Sequence, residues 1–230
     1  AASKYAFVVS EQVGNFVTFP FIKTWPAGLD ETVVMRDLIG FWRYFDPDYA
    51  MGDAYGIGML TSLNDRLYFD GLTDVDRRTI GDGESTASTW GQWPFAPIRF
   101  EGMTKHSMAA ALRSAFHQGQ AAIPYVDDGS DALKAKNAAN THWGPSSLDR
   151  VQSDASDWSA FIRQLGNIRE KPVQGGGYSS FKMVNPKIGD DLFDAACASI
   201  WALITRGESN AVQTVIGTRA MTQAQLLGAR

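Results

Sequence analysis

The chain of 230 residues carries 21 Lys and Arg against 25 Asp and Glu, a net charge of −4, with 44% apolar and 20% charged residues. That balance suits a globular domain with a real core and excludes a passive, charge-driven coat on nucleic acid. No apolar run approaches the roughly 18–20 residues of a membrane span. The start "AASKYAFVVS" lacks a basic stretch leading into an apolar one, and the single Cys197 excludes a disulfide framework, so a reducing cytoplasm without a signal peptide is expected.

In chain order, "YAFVVSEQVGNFVTFPFIK" (5–23) reads as a hairpin turning at Gly14-Asn15. Apolar residues at helical spacing after a capping Asp30 predict a helix over 28–45. "PDYAMGDAYGIGML" (47–60) predicts a short strand ending at Asp53, a glycine-punctuated turn, and a helix to about Arg66. Residues 67–95 read as an ordered insertion or a long loop whose Trp90 and Trp93 serve packing or, like Trp143, stack on bases. A strand is expected over 96–102, a helix over 104–119 closed by Gly119, and a strand over 120–126. The polar stretch 127–154 reads as an insertion, containing Trp143 and His142. A helix over 156–168, a hairpin over 169–185 with its tip at Gly175-Gly176-Gly177, and a helix from Asp190 to about Arg206 complete the pattern. Alternating strands and helices predict an α/β fold with a mixed sheet.

Two places could carry chemistry. Asp53 ends an apolar strand, the edge at which open α/β sheets bind ligands, and it also suits the N-cap of the following helix. Asp190, Asp191 and Asp194 crowd one helix start, where like charges raise one another's pKa. They either oppose the helix dipole or hold a divalent cation. If strand end and helix start meet, their carboxylates would bind Mg²⁺ or Mn²⁺, and two such ions about 4 Å apart support phosphodiester hydrolysis. Lys105 opens a helix and suits either a phosphate contact or a solvated helix start, while Lys171 and Lys182 flank the glycine hairpin. His106, His117 and His142 share no metal-ligand spacing and read as surface or packing residues, and Cys197 as a buried one.

The runs "FDPDYAMGDAYGIGMLTSLND", "PIRFEGMTKHSMAAALRSAFHQGQAAIP" and "GGGYSSFKMVNPKIGDDLFDA", in that order, resemble the nuclease domain of tailed-phage terminase large subunits over roughly residues 5–205. The resemblance implies an RNase H-like mixed central sheet flanked by helices, with a β-hairpin and loop insertions, over residues 1–206, followed by a tail at 207–230. It implies a two-metal DNA endonuclease, using Mg²⁺ or Mn²⁺, that cuts concatemeric double-stranded viral DNA in the host cytoplasm. Asp53 matches the family's second acidic position, and Asp190, Asp191 and Asp194 the third. Lys105, Lys171, Lys182 and Arg99 are the expected DNA contacts. Portal protein, terminase small subunit and an ATPase motor on the same polypeptide are the implied partners. The family's first acid lies on a strand before the "YAFVVSEQ" segment, and nothing before Tyr5 is acidic; no GxxxxGK[ST] motor signature occurs either. A fragment beginning near or within the nuclease domain is therefore expected. The alternatives are another RNase H-like nuclease or resolvase, and a domain of this fold whose site has degenerated into an interaction surface.

Overall fold

β1 (Tyr5–Val13) and β2 (Phe16–Trp25) form an antiparallel hairpin, with Gly14 at φ 61 making the turn. The structure, a computed structural model, describes residues 5–80, 89–123 and 153–206. Along the hairpin, Val9 faces Phe21 but Glu11 faces Thr18, so β2 contains one extra residue there. Such a bulge reverses the inward and outward alternation beyond it. Val17, Phe19 and Ile22 thus fall into one core cluster and Phe21 and Trp25 into another. β1 obeys the same division without a bulge: Ala6 and Val8 meet the first cluster, Phe7 and Val9 the second. The hairpin is buried on both faces, the arrangement of a helix–sheet–helix layer structure.

On one face lie α1 (Glu31–Phe45) and α2 (Ile57–Phe69). The Asp30 carboxylate caps α1 by accepting from Thr32 N, and Phe41 stacks on Phe7 at 5.4 Å and packs on Phe21 at 4.7 Å. On the other face lie α3 (Gly102–His117), α4 (Ala155–Asn167) and α5 (Asp191–Arg206). Their apolar side chains, among them Met108, Leu112, Phe161, Leu192 and Ile200, are almost fully buried around Phe19 and Ile22. α4 is tied to β2 by polar groups as well: the Ser153 hydroxyl accepts from Ile22 N at 2.6 Å, and the Asp157 carboxylate accepts from the Thr24 hydroxyl and amide.

Between the helices run β3 (Ala50–Asp53) and β4 (Phe95–Ile98), paired in parallel, with Asp53 opposite Ile98. A Cβ on Gly52 would stand 2.6 Å from Leu60 Cδ2, so any other residue there would make the Leu60 side chain shift. β5 (Ala121–Ala122) pairs in parallel with β2, and β6 (Ile168–Pro172) with β7 (Ser179–Met183) as the second hairpin.

The chain is a mixed α/β protein, as its pattern predicts, with several boundaries moved. α2 runs on to Phe69 rather than Arg66, and α3 starts at Gly102, whose φ of 55 turns the chain out of β4. The strand expected over 96–102 is consequently only Phe95–Ile98. A single central sheet is not formed among the described residues: the strands make three separate ladders, β1-β2-β5, β3-β4 and β6-β7, because β1 and β3 do not pair. Trp93 packs in the interior as expected for the long loop, and Cys197 is buried. Residues 81–88, most of the 127–154 insertion with His142 and Trp143, and the 207–230 tail lie outside the described residues. No helix among the described residues is long and apolar enough to cross a membrane.

Candidate metal centre

Parallel pairing sets β3 and β4 side by side at their carboxyl ends. From Ile98, opposite Asp53, the chain passes through three residues into α3, whose first turn carries Lys105. The strand paired with β3 thus leads into the helix that carries Lys105. α5 packs against β1, α3 and β3, and its start presents the aspartate cluster to that turn.

Lys105 Nζ donates to Asp194 Oδ2 at 2.8 Å and lies 3.6 Å from Asp190 Oδ2. The helical spacing of Asp190 and Asp194 makes this shared contact possible, and Asp190 O also accepts from Asp194 N. Burial pushes the Asp194 carboxyl up to about 6; Lys105 pulls it down, and Asp190 and Asp191 push it further up. Burial acts to lower the Lys105 pKa, but attraction and hydrogen bonding to Asp194, with help from Asp190, leave it raised. The nearby Cys197 thiol is pushed well up, first by burial and then by Asp194, so it stays protonated and unreactive.

Two amides at the start of α5 are taken by a side chain of another helix. Gln164, a buried residue of α4, accepts from Leu192 N at 2.8 Å and Phe193 N at 3.1 Å through Oε1. Gly189, at φ 81, leads the chain into this start, where a Cβ would come 3.3 Å from Asp191 Oδ2. Because a glutamine from another helix satisfies these amides, Asp190 and Asp194 can face a cation. Asp194 Oδ1 is buried and has no hydrogen-bond partner. An acceptor of this kind is costly to leave unpaired, and oxygen-seeking divalent cations are the ligands such a carboxylate suits.

Asp53 caps a turn rather than the helix expected after it, since α2 starts at Ile57 with Gly56 before it. It ends β3, and its Oδ1 accepts from Tyr55 N at 3.0 Å, capping the short 3₁₀ turn at Ala54–Gly56. Its side chain is exposed. Among the described residues, no three His, Cys, Asp or Glu side chains converge as a ready-made ion site.

The second hairpin stands beside this centre. His106, next to Lys105 on α3, accepts from Ser179 N at Nδ1 over 3.2 Å and packs against Tyr178 and Phe181, which makes it a packing residue. Arg113 pairs with Glu170, holding the other hairpin strand to α3. Cross-strand register fixes the faces: Glu170 opposes Phe181, which is buried toward α3, whereas Arg169 opposes Lys182 and Lys171 opposes Ser180. Arg169, Lys171 and Lys182 thus share the face turned away from α3, all three exposed. Arg169 was not among the expected contacts; the strand parity of "IREKP" against "SSFKM" is the signal that pairs it with the two lysines. Arg99 is exposed, 3.9 Å from Glu101 and over the Trp90 ring. Lys105, by contrast, is held between carboxylates.

Comparison of the chain with protein-family models, curated proteins and solved structures finds no match.

Proposed function

We propose that this chain is the RNase H-like nuclease domain of a viral DNA-packaging terminase, a metal-dependent endonuclease acting on double-stranded DNA. The observation that carries the reading is the Asp190–Lys105–Asp194 contact with its buried, unpartnered Asp194 Oδ1. Asp53, Asp190 and Asp194, with Asp191 beside them, are the residues that would hold Mg²⁺ or Mn²⁺. When bound, such cations lower the pKa of an attacking water and stabilise the leaving oxygen of a phosphodiester. The chain's own groups do the rest. Lys105 keeps the two carboxylates ionised and close in the absence of metal. Arg169, Lys171 and Lys182 supply phosphate contacts that position a duplex without reading its sequence. The portal protein, the small subunit and a motor domain on the same polypeptide are the partners this reading implies, and the host cytoplasm is where it would act.

Plasmid nicking in Mn²⁺, together with Mn²⁺ titration followed by electron paramagnetic resonance, tests the proposal. Bound Mn²⁺ and nicking are both expected, and Asp53→Ala and Asp194→Asn should each remove nicking by about a hundredfold or more while the fold is retained. Mn²⁺ binding that survives loss of Asp53 and Asp194 together would overturn the site. Mn²⁺ binding without nicking would favour a degenerate interaction domain over a nuclease.

A further inference from the structure

Asp194 meets a cation through one oxygen and leaves the other open. Its Oδ2 accepts from Lys105 Nζ at 2.8 Å, whereas its Oδ1 is buried and has no hydrogen-bond partner. Asp190 brings its own Oδ2 to within 3.6 Å of the same ammonium. The side chains of Lys105, Asp190 and Asp194 are 22%, 27% and 24% exposed, so this is no loose surface pair. Lys105 grows from the first turn of α3 and the aspartates from the start of α5, and the two helices pack on each other through Met108, Leu112, Ala196 and Ile200. The fold itself therefore sets the ammonium between the carboxylates.

An ammonium is a compact point charge that seeks oxygen acceptors, as Mg²⁺ and Mn²⁺ do. Where two metal ions act together on one phosphate they stand about 4 Å apart, close enough for one carboxylate to face each through a different oxygen. Asp194 has that arrangement with one place already taken, by a cation tethered to the chain. Seating a metal ion on Oδ2 as well would break a charge-assisted hydrogen bond and push the ammonium away from both of its carboxylates. An ion on Oδ1 requires neither.

We infer that Lys105 is a built-in second cation: the centre takes one Mg²⁺ or Mn²⁺, through Asp194 Oδ1, while Lys105 keeps its hold on Oδ2. The inference rests on the metal reading proposed above and narrows it from a pair of ions to one ion and one lysine. A lysine in this place carries three donors, so it can hold Asp194 and still offer an N–H to a phosphate oxygen of the substrate. Its charge stays in the site when the metal is removed.

Two measurements on the intact chain test this. Mn²⁺ counted by electron paramagnetic resonance should reach about one ion per chain, without the spectrum of the coupled pair that ions about 4 Å apart produce. Lys105→Met should admit a second ion, so that the count rises to about two and the coupled spectrum appears. With nitrogen-labelled lysine, the Lys105 ammonium resonance, assigned by its loss in Lys105→Arg, should persist at saturating Mg²⁺ because its bond to Asp194 is kept. Where Lys105→Met fails to fold, the count in the parent and this resonance decide. A coupled pair in the parent, an unchanged count in folded Lys105→Met, or loss of the resonance on adding Mg²⁺ overturns the inference and leaves the metal centre standing. A parent that binds no Mn²⁺ overturns the metal reading and this inference together.

Discussion

Burial pushes the Asp194 carboxyl up to about 6 from an ordinary 3.8, despite the ammonium of Lys105 beside it. A folded-state value above the unfolded one means that the folded chain holds this proton more tightly. The associated stability is complete below about pH 4 and is lost as the pH rises to about 6, at most about 3 kcal/mol for a shift of this size. Asp194→Asn cannot ionise and escapes that loss. Its melting temperature relative to the parent should therefore rise steadily from pH 4 to pH 7 in metal-free buffer. A difference that stays flat, or moves the other way, would show that Lys105 fully offsets the burial. Lys105→Met takes away the shared cation and leaves two carboxylates facing each other. It should destabilise the chain by about 2 kcal/mol or more at neutral pH. The loss should shrink below about pH 6, as Asp194 takes up its proton. A loss independent of pH would make Lys105 a packing residue instead.

At the level of the elements, α5 starts where it does because α4 supplies Gln164. Replacing it with leucine leaves the Leu192 and Phe193 amides buried without an acceptor, at about 1–3 kcal/mol each. Gln164→Leu should lower the melting temperature and speed amide exchange in the first turn of α5, and unchanged exchange there would assign the capping role to the aspartates. This contact also marks the limit of what the residues reveal in order. The helix from the aspartate cluster to Arg206 is legible from its apolar spacing, whereas the three aspartates at its start suit either caps or ligands. Gln164 lies 28 residues from Leu192, inside a different helix, and no local pattern announces that it takes the amides. Hairpins fare better, because their partners are close in sequence. Gly14-Asn15 and the triple glycine place both turns, and once the second turn is known, parity alone assigns Arg169 to the face of Lys171 and Lys182.

Across the whole molecule, the layered α/β arrangement follows from strands rich in Val, Phe and Ile alternating with amphipathic helices, but the bulge in β2 is not foreseeable. It depends on which residue of β1 each residue of β2 meets, and it decides that Phe19 and Phe21, two positions apart, enter different cores. Asp53 was legible as a strand end, whereas its relation to Lys105 required the parallel register of β3 and β4. Charge distribution carries the same lesson. The total of −4 predicts weak attraction to DNA, yet three exposed cations gather on one face of the second hairpin beside the carboxylate centre. Cations of that kind meet phosphates, and each phosphate contact steepens the fall of log affinity with log salt by about 0.9 on duplex DNA. Replacing Arg169, Lys171 and Lys182 by alanine should weaken duplex binding to a similar degree on unrelated sequences and flatten the salt slope by about 2 to 3. No described helix presents a row of Arg and Asn to a groove, so cleavage by this chain alone should be nearly indifferent to sequence. Binding measured on two mixed-sequence duplexes at four salt concentrations checks both statements. A triple variant that loses affinity for one duplex and keeps it for the other would mean that the hairpin reads bases rather than the backbone.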